Sequence, residues 1–441
     1  MKNNITFCIN TAKNEKDYVS LLLKSLIDHT SIDDHEVLIF IDSDNQNTYE
    51  HLMMQKDKIK NLKIHRNISG FPVGSQTNVS VMFNAASNNI VCYLQSDMVV
   101  GRDFDRYIIK NITENTMLSC ARIEPPIHPE SPEKITKDFG ITPETFDYTR
   151  FNEFVHELQR ENRPNIITHF APFAVYKKTW FNLMGGFDTQ FRCSREDSDT
   201  MIRMKEVGLE TVQSWNACVY HFTCVSSRGD KWFEKTKEAE KKNYLQTKAD
   251  HEELKRFIRK WGYFGHEYKP RYNVALCIDI DTGVEIDVIK QIEPYFSKIV
   301  LNDQEIVDEL IHRIDHETHY FANKRWNYTN NHWKEIKYKF KPIDFKNKII
   351  YKTDLNSYYE DVIVKISMLD LLKLNQDGES QSFVLNCNDI LTGLLNNADI
   401  SKGDYEVGIF KISVNNLVDI NKSNLESNQY LIPNIEEYIF T

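Results

Sequence analysis

The sequence has no Cys-x-x-Cys pair, no hydrophobic run as long as a membrane span, no basic excess and no glycine-rich phosphate loop. Each absence removes a class of protein. The eight cysteines, at 8, 92, 120, 193, 218, 224, 277 and 387, are scattered and mostly sit inside apolar segments. That distribution fits reduced, buried thiols rather than a disulfide frame or a zinc site. A membrane-crossing helix needs about 20 consecutive apolar residues, and none is present. The start, Met1 to Asn10, runs straight into strand-like residues instead of a signal sequence, so a cytoplasmic location is the expectation. Residues 1–270 carry 36 Lys and Arg against 37 Asp and Glu, net −1, while 271–441 carry 18 against 27, net −9. Neither part has the positive charge that binding a phosphate backbone favours.

What is present is a long, ordinarily globular chain. Its 441 residues exceed what one core usually serves, and 41% hydrophobic with 27% charged residues gives no sign of disorder. Two domains are expected, 1–268 and 269–441. The first is organised around Asn67 to Val100, read as a loop, a helix starting at Gly74-Ser75 with Ser75 able to cap, and a strand Asn89 to Gln95. The run Ile90-Val91-Cys92-Tyr93-Leu94 suits a strand buried on both faces. It delivers Ser96-Asp97-Met98 to its carboxyl end, where open α/β sheets bind ligands. Upstream, the strand Ile5 to Asn10 closes in Thr11-Ala12-Lys13-Asn14-Glu15. A helix with Val19, Leu22, Leu23 and Leu26 on one face follows, then a strand His35 to Ile41 ending in Asp42-Ser43-Asp44, and a short strand Leu62 to His65. Strand, helix, strand implies parallel pairing with a right-handed crossover.

Downstream, residues 123–150 contain five prolines and no sustained period, which reads as an excursion or lid over the sheet edge. A helix is expected at Phe151 to Glu161 and a strand at His169 to Tyr176. A second helix should start near Ser194, with Glu196, Asp197 and Asp199 in its first turn and Gly208 as its terminator. Asp197 falls near the apolar face set by Met201 and Met204, a costly place for a charge without a purpose. Strand-like segments 210–215 and 217–222 then bring His221 to an element end, followed by Arg228 in a Ser-Ser-Arg-Gly loop and a charged helix from Lys231 to Trp261.

Taken in order, Asp42-x-Asp44, Asn67-x-x-Gly70, Asn78, Ala85-Ala86, Ser96-Asp97-Met98, Gly185-Gly186-Phe187-Asp188, Glu196-Asp197, Gly208 and His221 resemble the inverting glycosyltransferases of family 2, across residues 3–265. The resemblance implies the GT-A fold, a Rossmann-like, mostly parallel sheet flanked by helices. It also implies metal-dependent transfer of a sugar from a nucleoside-diphosphate sugar, UDP-linked by expectation, to an acceptor hydroxyl. By the same resemblance Asp197 is the base, with Glu196 beside it. Thr11, Asp42, Asp44, Asn67, Gln95, Ser96 and Arg228 would contact the donor, and Asp97 and His221 would hold Mn²⁺ or Mg²⁺. One departure stands out: the family usually has Asp-x-Asp-Asp where this chain has Gln95-Ser96-Asp97-Met98. Gln95 can bond a ribose hydroxyl but is a poor ligand for a hard cation.

Plainer readings exist for several of these residues. Asp42 can be a turn acid, His221 a satisfied core histidine, Glu196 and Asp199 helix-start acids, and Arg228 a solvated loop cation. Two other functions compete: a nucleotidyltransferase of sugar-nucleotide synthesis, and a catalytically inactive carbohydrate-binding protein, the latter motivated by Gln95. Against the former stands the missing glycine-rich loop with a basic anchor. The acceptor stays open among a glycan, a lipid-linked sugar, a protein side chain and a modified nucleobase.

The second domain reads as βαβ alternation. Strands are expected at 273–280, 298–301, 348–351 and 383–386, and helices at 286–296, 304–322 and 358–374. No family is recognised in it, and its acidity makes it a poor host for a nucleotide diphosphate. Acceptor recognition or assembly is the expected role.

Overall fold

The structure is a computed structural model that describes residues 4–68, 74–127, 130–167, 174–183, 187–188, 191, 195–206, 208–223, 257, 274–293, 296–314, 345–376, 402–407 and 409–416. These residues belong to two compact units.

The first unit is built on β1 (Ile5–Thr11), β2 (Glu36–Ile41), β3 (Leu62–Arg66), β4 (Ile90–Gln95), β5 (Met98–Val100), β6 (Thr116–Glu124), β7 (Lys134–Thr136), β8 (Ile166–Ile167), β9 (Ala174–Lys177) and β10 (Glu210–His221). They form one sheet in the order β3-β2-β1-β4-β9-β6-β10-β5, with β7 on β6 and β8 on β10. β3, β2, β1 and β4 run parallel, whereas β9 is antiparallel to both β4 and β6. Both faces are covered, which is why the strands lack polar alternation. Ile5, Phe7 and Ile9 of β1 pack with Val19, Leu22 and Leu26 of α1 (Lys16–His29), while Cys8 packs on the other side with Val79, Met82 and Phe83 of α3 (Ser75–Ala85). α2 (Thr48–Met54) lies between β2 and β3 in the chain. After β5 come α4 (Phe104–Asn111), α5 (Tyr148–Arg160), α6 (Lys178–Leu183) and α7 (Glu196–Glu206).

Most expected elements match to within a few residues, and four details differ. Gly74, rather than Ser75, occupies the cap position of α3, because φ of +92° there is a conformation that favours glycine. The proline-rich 123–150 segment is a packed insert: it donates β7 to the sheet and sends Phe139 and Phe146 into a core with Phe151, Tyr220 and Phe222. Gly140 makes its tight turn at φ +119°, where a Cβ would lie 2.4 Å from the Thr145 carbonyl oxygen. The two segments around 215–217 are one strand, β10, with a bulge: Ser214 pairs with Cys120 and Cys218 with Ala121, so three residues on β10 have no partner position on β6. Finally, the most deeply buried acid of α7 is Asp199, not Asp197. Asp199 and Arg203, 1% and 0% exposed, form an ion pair with contacts of 2.9 and 2.8 Å. Arg228 and the expected 231–261 helix lie outside the described residues.

The second unit holds β11 (Val274–Asp279), β12 (Lys298–Leu301), β13 (Ile349–Tyr351), β14 (Val362–Ser367), β15 (Gly403–Val407) and β16 (Phe410–Val414), in the order β13-β12-β11-β14-β16-β15. The first four are parallel and the last two form an antiparallel hairpin. The expected helix 358–374 is overturned. Its first part is β14, the strand beside β11, and a helix begins only at Met368. Val362-Ile363-Val364 is β-branched and buried on both faces, with Val362 and Val364 in one cluster and Ile363 in another. The expected strand 383–386 lies outside the described residues.

Among the described residues no helix is long and apolar enough to cross a membrane. Cys8, Cys92, Cys120, Cys218 and Cys277 are buried free thiols, as expected. Burial pushes the Cys120 thiol up to about 12, which removes its nucleophilic form near neutral pH.

Candidate active site

Strand ends of the first unit bring the sequence-selected acids to one edge. At β2, Asp42 is 7% exposed and is fixed through its backbone and both carboxylate oxygens. Its N–H donates to the Thr11 carbonyl (2.9 Å), Asn67 Nδ2 donates to Oδ1 (3.1 Å), and the Gly74 N–H donates to Oδ2 (3.0 Å). The positive φ of Gly74 thus joins the start of α3 to this carboxylate. Asn67 also donates to the Asp42 carbonyl at 2.8 Å, so Thr11, Asp42, Asn67 and Gly74 form one connected group. Asp44 is differently used. Its carboxylate accepts from the amides of Gln46, Thr48 and Tyr49 at 2.9, 3.0 and 3.2 Å, which anchors the start of α2. Burial works against ionisation of Asp44, and those three amides outweigh it, so its pKa is lowered.

At β4, Ser96 donates to Glu15 Oε2 at 2.5 Å, and the Ala12 N–H donates to the same oxygen at 2.7 Å. Glu15 is 2% exposed. Sequence reading passed it over, although it closes the Thr11–Glu15 segment after β1. Tyr93, two residues before Gln95, donates to Asn10 Oδ1 at 3.1 Å. Burial raises its phenol, and the charges of Glu196, Asp97 and Glu15 add to that, while a Gln95 hydrogen bond opposes them. The three acids therefore share one neighbourhood, although Glu196 comes from α7.

The centre of the edge is where β6 and β10 end and β5 begins. β10 lies between the other two, and its bulge sets the register: Tyr220 pairs with Ile123, so His221 comes beside Glu124, and on the other side His221 pairs with Met98, the neighbour of Asp97. The Phe222 N–H donates to the Asp97 carbonyl at 3.0 Å. His221 Nε2 lies 3.6 Å from Asp97 Oδ2, and Nδ1 lies 2.9 Å from Glu124 Oε1. Glu124, 3% exposed at its side chain, also meets Arg122 Nη1 at 3.3 Å and Lys134 Nζ at 3.6 Å. Burial alone would raise the Glu124 carboxyl. The His221 hydrogen bond and charge, then Arg122 and Lys134, outweigh it and bring it down to about 2. Glu124, Arg122 and Lys134 were missed in the sequence because β6 and β7, which carry them, show no recognisable motif. Burial lowers the Arg122 guanidinium, against the charges of Glu124, Glu133 and Asp197, which brings Asp197 into range of the same cluster. Asp197, at the start of α7, accepts from the Ser198 N–H at 2.7 Å.

As a donor set, Asp97 and His221 suit a divalent cation: one carboxylate oxygen and one imidazole nitrogen, with the other ring nitrogen tied to a carboxylate. Among the described residues there is no group of three or more His, Cys, Asp or Glu side chains that could hold a metal.

The fold of the first unit is of the GT-A type: a mostly parallel sheet flanked by helices, with acids gathered beyond its strand ends. Residues 8–184 match the family described as Glycosyl transferase family 2, the family that the sequence resembles. The match stops before Glu196, Asp197 and His221. Similar solved structures include GalNAc-T7 with UDP, GalNAc and Mn²⁺ (12% identity over 58% of this chain and 48% of that one, TM-score 0.40). Another is the mannosyltransferase PcManGT from Pyrobaculum calidifontis in complex with GDP-Man and Mn²⁺ (13%, 58% and 63%, TM-score 0.38). A third is S. aureus TarS (14%, 77% and 57%, TM-score 0.39). The chain thus spans about half the length of the first of these. Comparison with curated proteins gives no significant match.

Proposed function

We propose that this protein is a metal-dependent inverting glycosyltransferase that moves a sugar from a nucleoside-diphosphate sugar, UDP-linked in our reading, to an acceptor hydroxyl. The observation that carries the proposal is the meeting of Asp97 and His221, far apart in sequence, at 3.6 Å beyond the sheet edge in a chain whose residues 8–184 match family 2. Asp97 and His221 would hold Mn²⁺ or Mg²⁺. Imidazole favours Mn²⁺ of the two, since Mg²⁺ prefers oxygen and water. Such an ion supplies electrostatic stabilisation of the departing diphosphate.

The remaining roles fall to the chain's own groups. Asp42, held by Asn67 and Gly74, would accept from a nucleobase. Gln95 and Ser96 would meet the ribose. Asp197 accepts the proton of the acceptor hydroxyl as its oxygen attacks the anomeric carbon. The bond from that carbon to the phosphate oxygen breaks on the opposite face, so the configuration inverts and the nucleoside diphosphate leaves. Glu196, whose charge reaches Tyr93, would assist from the same helix turn. Arg228 is proposed as a phosphate contact. The second unit is proposed to serve acceptor recognition or assembly.

The test is a panel of nucleotide sugars incubated with the protein and Mn²⁺. Slow release of nucleoside diphosphate is expected from one of them. Pyrophosphate would instead indicate nucleotidyl transfer, and neither product an inactive binding protein.

A further inference from the structure

We infer that Glu124 is a positioning residue that holds His221 in the tautomer with hydrogen on Nδ1, so that the Nε2 electron pair is turned to Asp97. This deepens the proposed function and rests on it for its metal consequence. The geometry is specific. Glu124 Oε1 is 2.9 Å from Nδ1, and the carboxylate has Arg122 at 3.3 Å and Lys134 at 3.6 Å, both well buried. A carboxylate between two cations accepts hydrogen bonds and does not donate them. The hydrogen of that contact therefore belongs to Nδ1. In the neutral ring Nε2 then carries a lone pair, 3.6 Å from Asp97 Oδ2. Two electron-rich atoms facing each other at that distance make a place for a cation rather than a hydrogen bond.

The arrangement depends on backbone register as well as on side chains. Glu124 is the last residue of β6 and His221 the last of β10, and they become neighbours because residues 215–217 bulge out. Arg122 stands two positions before Glu124, on the same face of β6. Lys134 begins β7, whose register places it opposite Arg122. Three strands thus converge on one ring nitrogen. Neither an isolated histidine nor a histidine bonded to a backbone N–H would have its tautomer fixed in this sense.

Two measurements test it. In wild-type protein labelled with ¹⁵N-histidine, the neutral form of the His221 ring, assigned by its loss in His221→Asn, should carry its hydrogen on Nδ1. A neutral ring with its hydrogen on Nε2 would overturn the proposal, and no metal is needed for the result. In calorimetry with Mn²⁺ in the presence of UDP, Glu124→Ala should weaken metal binding by about 10–100-fold, the range for removing a group that orients a ligand. Glu124→Gln, whose amide oxygen can still accept from Nδ1–H, should recover most of that loss, and UDP affinity without metal should not change. Equal losses in the two variants would contradict the positioning role. If wild-type protein bound no Mn²⁺ while the ring was protonated at Nδ1, the metal reading would fail and the tautomer assignment would stand.

Discussion

Replacing Arg203 by methionine should destabilise the first unit severely while leaving every proposed donor contact in place. Arg203 is fully buried, and its Nε and Nη2 lie 2.9 and 2.8 Å from one oxygen of Asp199, which is 1% exposed. Methionine is of similar length and apolar, and its neighbours Met201 and Met204 already pack in the core. The steric cost is therefore small and the electrostatic cost large, because the Asp199 carboxylate would be left in the interior with its charged partner removed. Breaking a buried pair in this way costs about 3–5 kcal/mol. Urea unfolding should show a lower midpoint at an unchanged slope. The double variant Asp199→Leu/Arg203→Met removes both charges and should regain much of the loss, because matched apolar replacements of buried pairs are often near neutral. A single-variant loss below about 1 kcal/mol, or a double variant as damaged as the single, would refute the reasoning. The effect bears on the proposed function because α7 carries Glu196 and Asp197 in its first turn.

Three further outcomes are expected. Asp197→Asn should keep donor affinity and lower turnover by about 10²-fold or more, the range for a positioned base; a loss no greater than that of Glu196→Gln would reassign the base. Gln95→Asp should retain or tighten Mn²⁺ binding, and loss of donor affinity in its place would reveal a specific polar contact by Gln95. Glu36 accepts from Thr6, Lys63 and both the N–H and hydroxyl of Ser87. Burial raises its pKa and the Lys63 and Ser87 bonds outweigh it, so the folded value lies below the unfolded one. Its contribution is therefore present above an unfolded pKa of about 4.3 and is lost as the pH falls through the folded value. The stability deficit of Glu36→Gln, measured by urea unfolding, should shrink between pH 7 and pH 3, and a constant deficit would contradict it.

What the sequence disclosed follows from what periodicity can carry. The parallel core was legible because β1, β2 and β4 are short apolar runs that each end in polar residues, and Val19, Leu22 and Leu26 mark a helix face. β14 was not, since Val362 to Ile366 is apolar at spacings that a helix or a strand can satisfy, and only the pairing with β11 decides between them. At the site, Asp42 and Asp97 announced themselves as strand-end acids. Glu124 did not, because its significance comes from a β10 bulge that brings His221 beside it. Asp199 and Arg203 carried a readable signal in their i, i+4 spacing, and the apolar face assigned by Met201 and Met204 drew attention to Asp197 instead.

The central claim is that Asp97 and His221 hold a divalent cation with the donor's diphosphate. Calorimetric titration of UDP, with and without Mn²⁺, into wild-type protein and into Asp97→Ala tests it directly. Binding should be strengthened by Mn²⁺ in the wild type, and that enhancement should vanish in Asp97→Ala while the metal-free affinity is little changed. An Asp97→Ala protein that binds UDP with undiminished dependence on Mn²⁺ would contradict the account.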